Sequence, residues 1–313
     1  MNPFTRGYTT STPAIGDKFV PVRYHAPSKA DMAVIIVFFN PVASMRLIQN
    51  ILIVKHSMDT ANIPCFIGEL AFNSDAFLFH ASANIFQYRS DSYMFYKENL
   101  INAVEARIPD TFTKLCILDA DIMFDNPYWY SIISHTLDTY NVCQPFTTTY
   151  FLDICFRIEK TKTNCVDRVN TTNWANEHPG HVWAFDRQWY KAANISDMTV
   201  VVGGDMFLYA TLCDISMDHP NLKMYTCIHT HYEGHLTSCR LHVYHLNHGP
   251  LASRQYADRI INMGVLMNEL GVVDITQTLC RREDRILEWK PEYKERINAY
   301  MYRYFSSRDD DAI

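Results

Sequence analysis

The sequence predicts an α/β protein: an open, Rossmann-like sheet with helices on both faces and a less regular C-terminal half. The first observation is a set of short apolar runs, AVIIVFF at 33–39, the Ile63–Leu70 stretch and LCIL at 115–118, none long enough for anything but a buried strand. The second is helical periodicity between them, at Ser44–Met58 and at about Tyr93–Arg107. Strand, helix and strand in succession demand crossovers, hence parallel pairing. The third is a pair of carboxylates, Asp119 and Asp121, directly after the third run, where an open α/β sheet binds its ligands.

In chain order, residues 1–31 are polar and punctuated by Pro3, Pro13, Pro21 and Pro27, which reads as an arm laid over the surface. A domain over 32–265 follows, divided into a first half, 32–146, and a second half, 147–265. In the first half, Ala33–Phe39 closes at Asn40-Pro41, Ile63–Leu70 carries Glu69, a short strand is expected at Asn84–Tyr88, and the helix after it holds Lys97, Glu98, Asn99 and Asn102. Asn126-Pro127 is positioned to start a further helix. In the second half Asn170–Pro179 reads as a loop, and the adjacent Gly203 and Gly204 before Asp205 suggest a bend where backbone comes close to something else. Residues 266–313 read as a helical extension, with an amphipathic helix over Glu283–Tyr304 and a frayed acidic end at Asp309–Asp311.

Composition excludes several classes. With 48% hydrophobic residues the chain buries a sizeable core, and a net charge of -6 without any basic run argues against nucleic acid as a partner. No apolar stretch approaches the roughly 20 residues of a membrane helix. Nine cysteines without CxxC spacing predict buried free thiols and a cytoplasmic setting, a host cytoplasm if the chain is viral, in which the sequons at Asn170 and Asn194 stay unused. Ten glycines form neither GxGxxG nor a P-loop.

The chemistry centres on LDAD. Carboxylates at i and i+2 reach one cation if the chain turns there, and two hard oxygen donors suit Mg or Mn carrying phosphates. Asp also favours turns and helix caps, so the triplet counts only with the β-type run before it and FDNPYWY after it.

Taken together, the VFFNP strand end, IPCFIGELAF, the KENLIN helix, LDADIMF, HPGHVWAF, VGGD and HLNHGP with Arg254 after it resemble, in order, the GT-A fold nucleotide-sugar glycosyltransferases, in particular viral and phage-type members. The resemblance spans roughly 32–260. It implies transfer of a sugar from a nucleoside diphosphate, UDP favoured, to a hydroxyl of a glycan or glycoprotein acceptor. It implies that Asp119 and Asp121 hold the metal against the diphosphate, Asp121 the firmer ligand, and that His245, ahead of His248, completes the site. Lys97 and Arg254 would share the negative charge, Phe39 and Asn40 would frame the base, Glu69 would lie near ribose or base, and Asn102, Ala120 and His248 would join the donor site. Asp205 matches the base of inverting members, although Gly204 stands where many relatives carry an acidic neighbour. Trp183, Gly203 and Gly204 would face the acceptor.

Three other readings use the same residues. A zinc-binding module could draw on Cys227, His229, His231, His235, Cys239 and His242, although the spacing matches no common finger. A glycoside hydrolase would pair Asp119 or Asp121 with Asp205 and need no metal. A nucleotidyltransferase would share the paired carboxylates and the divalent ion but release pyrophosphate. For Asp205 the purely structural reading is a cap on a helix starting near Met206.

Overall fold

The computed structural model describes residues 12–168, 176–201, 203–215, 224–225 and 232–312. The chain runs β1 (Met32–Phe39), α1 (Met45–Thr60), β2 (Cys65–Phe72), β3 (Ile85–Ser90), α2 (Lys97–Glu105), β4 (Lys114–Leu118), β5 (Ile122–Phe124), α3 (Trp129–Thr136), β6 (Val142–Gln144), β7 (Thr148–Leu152), β8 (Ile158–Asn164), β9 (Glu177–His178), β10 (Val182–Asp186), α4 (Arg187–Ala193), α5 (Gly204–Leu212), β11 (Leu236–Ser238), β12 (His242–His245), α6 (Tyr256–Glu269), β13 (Leu279–Arg281), β14 (Leu287–Trp289) and α7 (Pro291–Ser307).

The main sheet has seven strands in the order β11-β6-β10-β4-β1-β2-β3. β1 pairs in parallel with both β2 and β4, β2 with β3 and β11 with β6; β10 alone runs antiparallel, between β4 and β6. The expected α/β architecture is therefore present. The apolar runs are continuous because the sheet is covered twice. On β1, Val34, Ile36 and Phe38 pack with α1 and α3, while Ala33 and Ile35 pack with α2, α6 and α7. Ser44 caps α1, its side chain accepting from Leu47 N.

A second sheet, β5-β12-β7-β8-β9, lies beyond the end of β4. The N-terminal arm is tied to it, with Gly16 N donating to Ile158 O and Phe19 N to Phe156 O. Among the described residues no helix is long and apolar enough to cross a membrane. Of the eight cysteines described, five are buried and none is bridged, but Cys155 and Cys280 are exposed.

The C-terminal extension departs from expectation. The Glu283–Tyr304 helix is instead strand β14 followed by α7, which starts on Pro291 at its first turn, where the missing N–H costs nothing. α6 straddles the division at 265/266, and Met263, Ile297, Met301 and Phe305 share one core with α2. The acidic end is not frayed. Asp311 accepts from Ser44 Oγ at 2.8 Å, Met45 N at 3.2 Å and Arg46 N at 2.8 Å, placing a carboxylate on the positive end of α1. Asp310 is buried against Arg308 at 2.8 Å. α2 is also shorter than predicted, because Tyr93 and Phe95 are spent on packing against Tyr302 and Phe305 before the helix begins.

Candidate active site

β4 stops at Leu118 and the chain turns through Asp119, Ala120 and Asp121 into β5. The turn is held from both sides. Asp119 N donates to His181 O at 2.9 Å, and Leu246 N donates to Asp121 O at 2.8 Å. Antiparallel pairing of β5 with β12 sets His245 opposite Ile122 and so delivers the end of β12 to Asp121.

One cluster forms around Asp121. Its Oδ2 lies 2.8 Å from His248 Nε2 and 3.8 Å from His245 Nε2, and the two imidazole nitrogens are 3.3 Å apart. One ligand atom from each of the three residues falls within 4.8 Å of the others, the one such group of His, Cys, Asp and Glu among the described residues. Asp121 Oδ1 is buried with no hydrogen-bond partner among them. Burial opposes the charge on Asp121, but the two imidazoles, the hydrogen bond with His248 and the Arg254 guanidinium hold its carboxyl well below the usual range. Burial pushes His245 down to about 3 against the pull of Asp121, so it presents a neutral imidazole, the form that binds metals. An ionised carboxylate with a spare buried oxygen, beside two imidazoles, is a donor set that fits Mn better than a thiolate-seeking ion. Both histidines expected as alternatives are therefore at Asp121 together. Arg254 NH2 lies 2.7 Å from His248 Nε2, and Asp310 Oδ1 3.7 Å from His248 Nδ1.

A second cluster forms around Lys97, at the first turn of α2. Its Nζ is 2.7 Å from Asp119 Oδ1 and 3.0 and 2.8 Å from the two oxygens of Asp205. Burial works to lower the Lys97 pKa, but Asp119, Asp205 and Glu98 outweigh it and raise it well above the ordinary value. Burial pushes Asp119 up to about 6 although Lys97 opposes it, with Asp205 and Asp121 adding repulsion. Glu98 rises to about 7, again chiefly through burial, with Lys97 opposing and Asp205 reinforcing. Asp205 sits in the first turn of α5, after Gly203 at φ 87°; its oxygens are spent on Lys97 in the manner of a site residue, and the cap position belongs to Gly203.

The Lys97 cluster lines a cavity of about 520 Å³, walled by Lys97, Glu98, His178, Asp205, Tyr256 and Arg259 among others. A second cavity of about 340 Å³ adjoins His245, His248, Arg254 and Lys160. The glycines keep this region open. A Cβ on Gly180 would stand 2.6 Å from Asp205 Oδ2, and one on Gly204 would stand 1.7 Å from Glu98 Oε1.

Other expected residues are placed differently. Trp183 is 2% exposed, donates Nε1 to Pro179 O at 2.8 Å and packs on Phe185, so its faces belong to the core and offer nothing to an acceptor. Asn102 donates to Ile195 O and accepts from Tyr190 OH, tying α2 to α4 and the segment after it. Asn40 is spent on both backbone groups of Ser44, and Glu69 on the N–H groups of Leu78 and Phe79, where it holds the loop after β2. Phe39 packs edge-on against Phe95 and Tyr96 while staying partly exposed, and Ala120 sits half-buried in the turn. Of the zinc alternative, Cys227, His229 and His231 lie outside the described residues. His242 pairs with Asp125 at 3.2 Å and Cys239 with Cys143 at 3.4 Å.

Sequence reasoning did not single out Glu98, Asp310 or the His178–His181 pair. The two rings stack at 3.6 Å with an angle of 7°, and burial lowers both pKa values well below the ordinary one. For Glu98 a signal existed: it follows Lys97 in the same helical turn.

No family model and no curated protein matches the chain. Solved structures do. The catalytic domain of Drosophila β1,4-galactosyltransferase 7 with xylobiose matches at 14% identity and TM-score 0.31, over 59% of this chain and 61% of that one. Glucosyl-3-phosphoglycerate synthase from Mycobacterium tuberculosis, with Mn2+, UDP and phosphoglyceric acid, matches at 9% identity and TM-score 0.40, over 84% and 87%. A glucose-1-phosphate thymidylyltransferase from Bacillus anthracis matches at 9% identity and TM-score 0.32, over 52% and 74%. The chain thus spans about three fifths of the galactosyltransferase domain. These likenesses concern α/β architecture and say nothing of chemistry, which rests on the residues described above.

Proposed function

We propose that the protein is a divalent-metal-dependent glycosyltransferase that moves a sugar from a nucleoside diphosphate, UDP favoured, to an acceptor hydroxyl with inversion. The observation that carries this reading is the convergence of Asp121, His245 and His248 at the carboxyl end of β4, two residues from a carboxylate that shares Lys97 with Asp205. When bound, Mn or Mg supplies Lewis-acid stabilisation of the departing diphosphate. Asp121, His245 and His248 would hold it. Arg254, within reach of that cluster, adds positive charge where the diphosphate charge develops. Lys97 orients Asp119 and pairs with Asp205, and Asp205 takes the proton of the acceptor hydroxyl in the large cavity. The acceptor would be a glycan or a glycoprotein.

Titration calorimetry with UDP tests the reading. UDP should bind in Mn and fail to bind in EDTA, and Asp121→Ala should abolish the difference while the far-UV spectrum stays native. Equal affinity in both buffers removes the metal-dependent donor site. Release of pyrophosphate from a sugar phosphate and a nucleoside triphosphate would assign the same carboxylates to nucleotidyl transfer.

A further inference from the structure

The glycine at 204 leaves the position beside Asp205 without a side chain, and the space there is filled from elsewhere in the fold. The three atoms nearest to a Cβ built on Gly204 are the whole carboxyl group of Glu98, with Oε1 at 1.7 Å, Cδ at 2.2 Å and Oε2 at 2.8 Å. Gly204 is helical and free of positive φ, so the Glu98 carboxyl stands directly in the way of a side chain there. Glu98 reaches this place because it follows Lys97 in the first turn of α2, and Lys97 is anchored to Asp205. The carboxyl is half-buried and faces the cavity of about 520 Å³ that also holds Asp205, His178 and Tyr256.

We propose that Glu98 is the second acidic residue of the acceptor site: it hydrogen-bonds a hydroxyl adjacent to the one Asp205 deprotonates, and so selects an acceptor with neighbouring hydroxyls, a sugar ring and not the lone hydroxyl of a Ser or Thr side chain. The inference rests on the glycosyltransferase reading. Two carboxyl groups side by side on one cavity wall can accept from, or donate to, two neighbouring hydroxyls at once, whereas a single hydroxyl engages only one of them. Glu98 acts by positioning the acceptor, while proton removal stays with Asp205.

The test compares wild type, Glu98→Gln, Glu98→Ala and the double variant Glu98→Ala/Gly204→Asp. Each is assayed for UDP binding in Mn, for hydrolysis of UDP-sugars without acceptor, and for transfer to methyl glycosides and to Ser/Thr peptides. Glu98→Ala should raise KM for the glycoside about 10- to 100-fold, the loss expected of a hydrogen bond to a charged group, with UDP affinity changed less than about twofold. Glu98→Gln should fall between, and the double variant, which returns a carboxylate to the vacated space from residue 204, should recover most of the loss. An unchanged glycoside KM in Glu98→Ala, or efficient transfer to peptides that ignores Glu98, overturns the proposal while leaving the metal and donor reading intact. Failure of wild type to bind UDP in Mn or to hydrolyse any UDP-sugar overturns both.

Discussion

Asp119 and Asp121 stand two residues apart on one turn and live in opposite surroundings. Asp121 meets two imidazoles and a guanidinium and stays ionised, with one buried oxygen to spare. Asp119 meets a single lysine that it shares with Asp205, and burial lifts its carboxyl to about 6. The turn after β4 sends one carboxylate toward β12 and the other toward α2 and α5. The difference assigns them different work. In the proposed function the Asp121 side would hold the cation, while the Asp119 side keeps a group of acids around one lysine. Lys97 ties the Asp119 end of the turn to Asp205, so the two clusters are neighbours joined through the backbone between Asp119 and Asp121.

The largest expected effect is on the Lys97 side. Asp205→Asn should slow transfer by about 10²- to 10⁴-fold, as loss of a positioned base does, with donor affinity unchanged. Near-normal turnover, or a product of retained anomeric configuration, would leave the two carboxylate clusters without the division of labour drawn here.

Metal titration sharpens the contrast next. His245→Ala and His248→Ala should each raise the Mn needed for half-maximal activity beyond the roughly 10- to 100-fold that loss of an outer-shell partner costs, and Asp310→Asn, which reaches the cluster only through His248, should stay within that range. Asp119→Ala should shift the Mn requirement less than Asp121→Ala does. The reverse order would exchange their roles.

A pH effect separates the acids around Lys97. The carboxyl of Glu98 is raised from 4.5 to about 7, so the folded state holds its proton more tightly than the unfolded chain does. Stability from this group is complete below about pH 4.5 and is lost as pH rises through about 7. Thermal denaturation of Glu98→Gln, which cannot ionise, should gain on wild type across that window and run parallel to it above. A difference constant with pH would mean that Glu98 is as well solvated in the fold as outside it.

The smallest effect lies at the chain's end. Asp311→Ala should cost about 1 kcal/mol, as removal of a helix cap does, and leave the Mn requirement alone. A changed Mn requirement would couple the cap on α1 to the His248 cluster through Asp310.

Much of the frame was legible in the residues. Ala33–Phe39 and Leu115–Leu118 are apolar at every position because both faces of the sheet are covered, and such a run has no other home in a soluble fold. That put LDAD at a strand end before any coordinate was known. Local pattern also ordered α1, since Ser44 stands where a helix needs its cap. What local pattern could not reveal was which distant groups would meet. Asn40, Glu69 and Asn102 are polar residues near functional elements, and only packing spends them on Ser44, Leu78 and Ile195. Trp183 offers the same indole to a sugar or a core, and the covering of β10 by the surrounding core decided for the core.

The sequence by itself determined the sheet, the crossovers and the position of the two carboxylates, because these depend on the period of hydrophobicity and on chain direction, both local properties. Tertiary structure alone decided that His245 and His248 both face Asp121, that Lys97 is shared by Asp119 and Asp205, that Glu98 fills the space Gly204 vacates, and that Asp310 and Asp311 fold back over the site. Each of those contacts joins residues separated by dozens to hundreds of positions. Their energies come from burying charge beside charge, and that depends on which elements pack together and not on what any one of them contains.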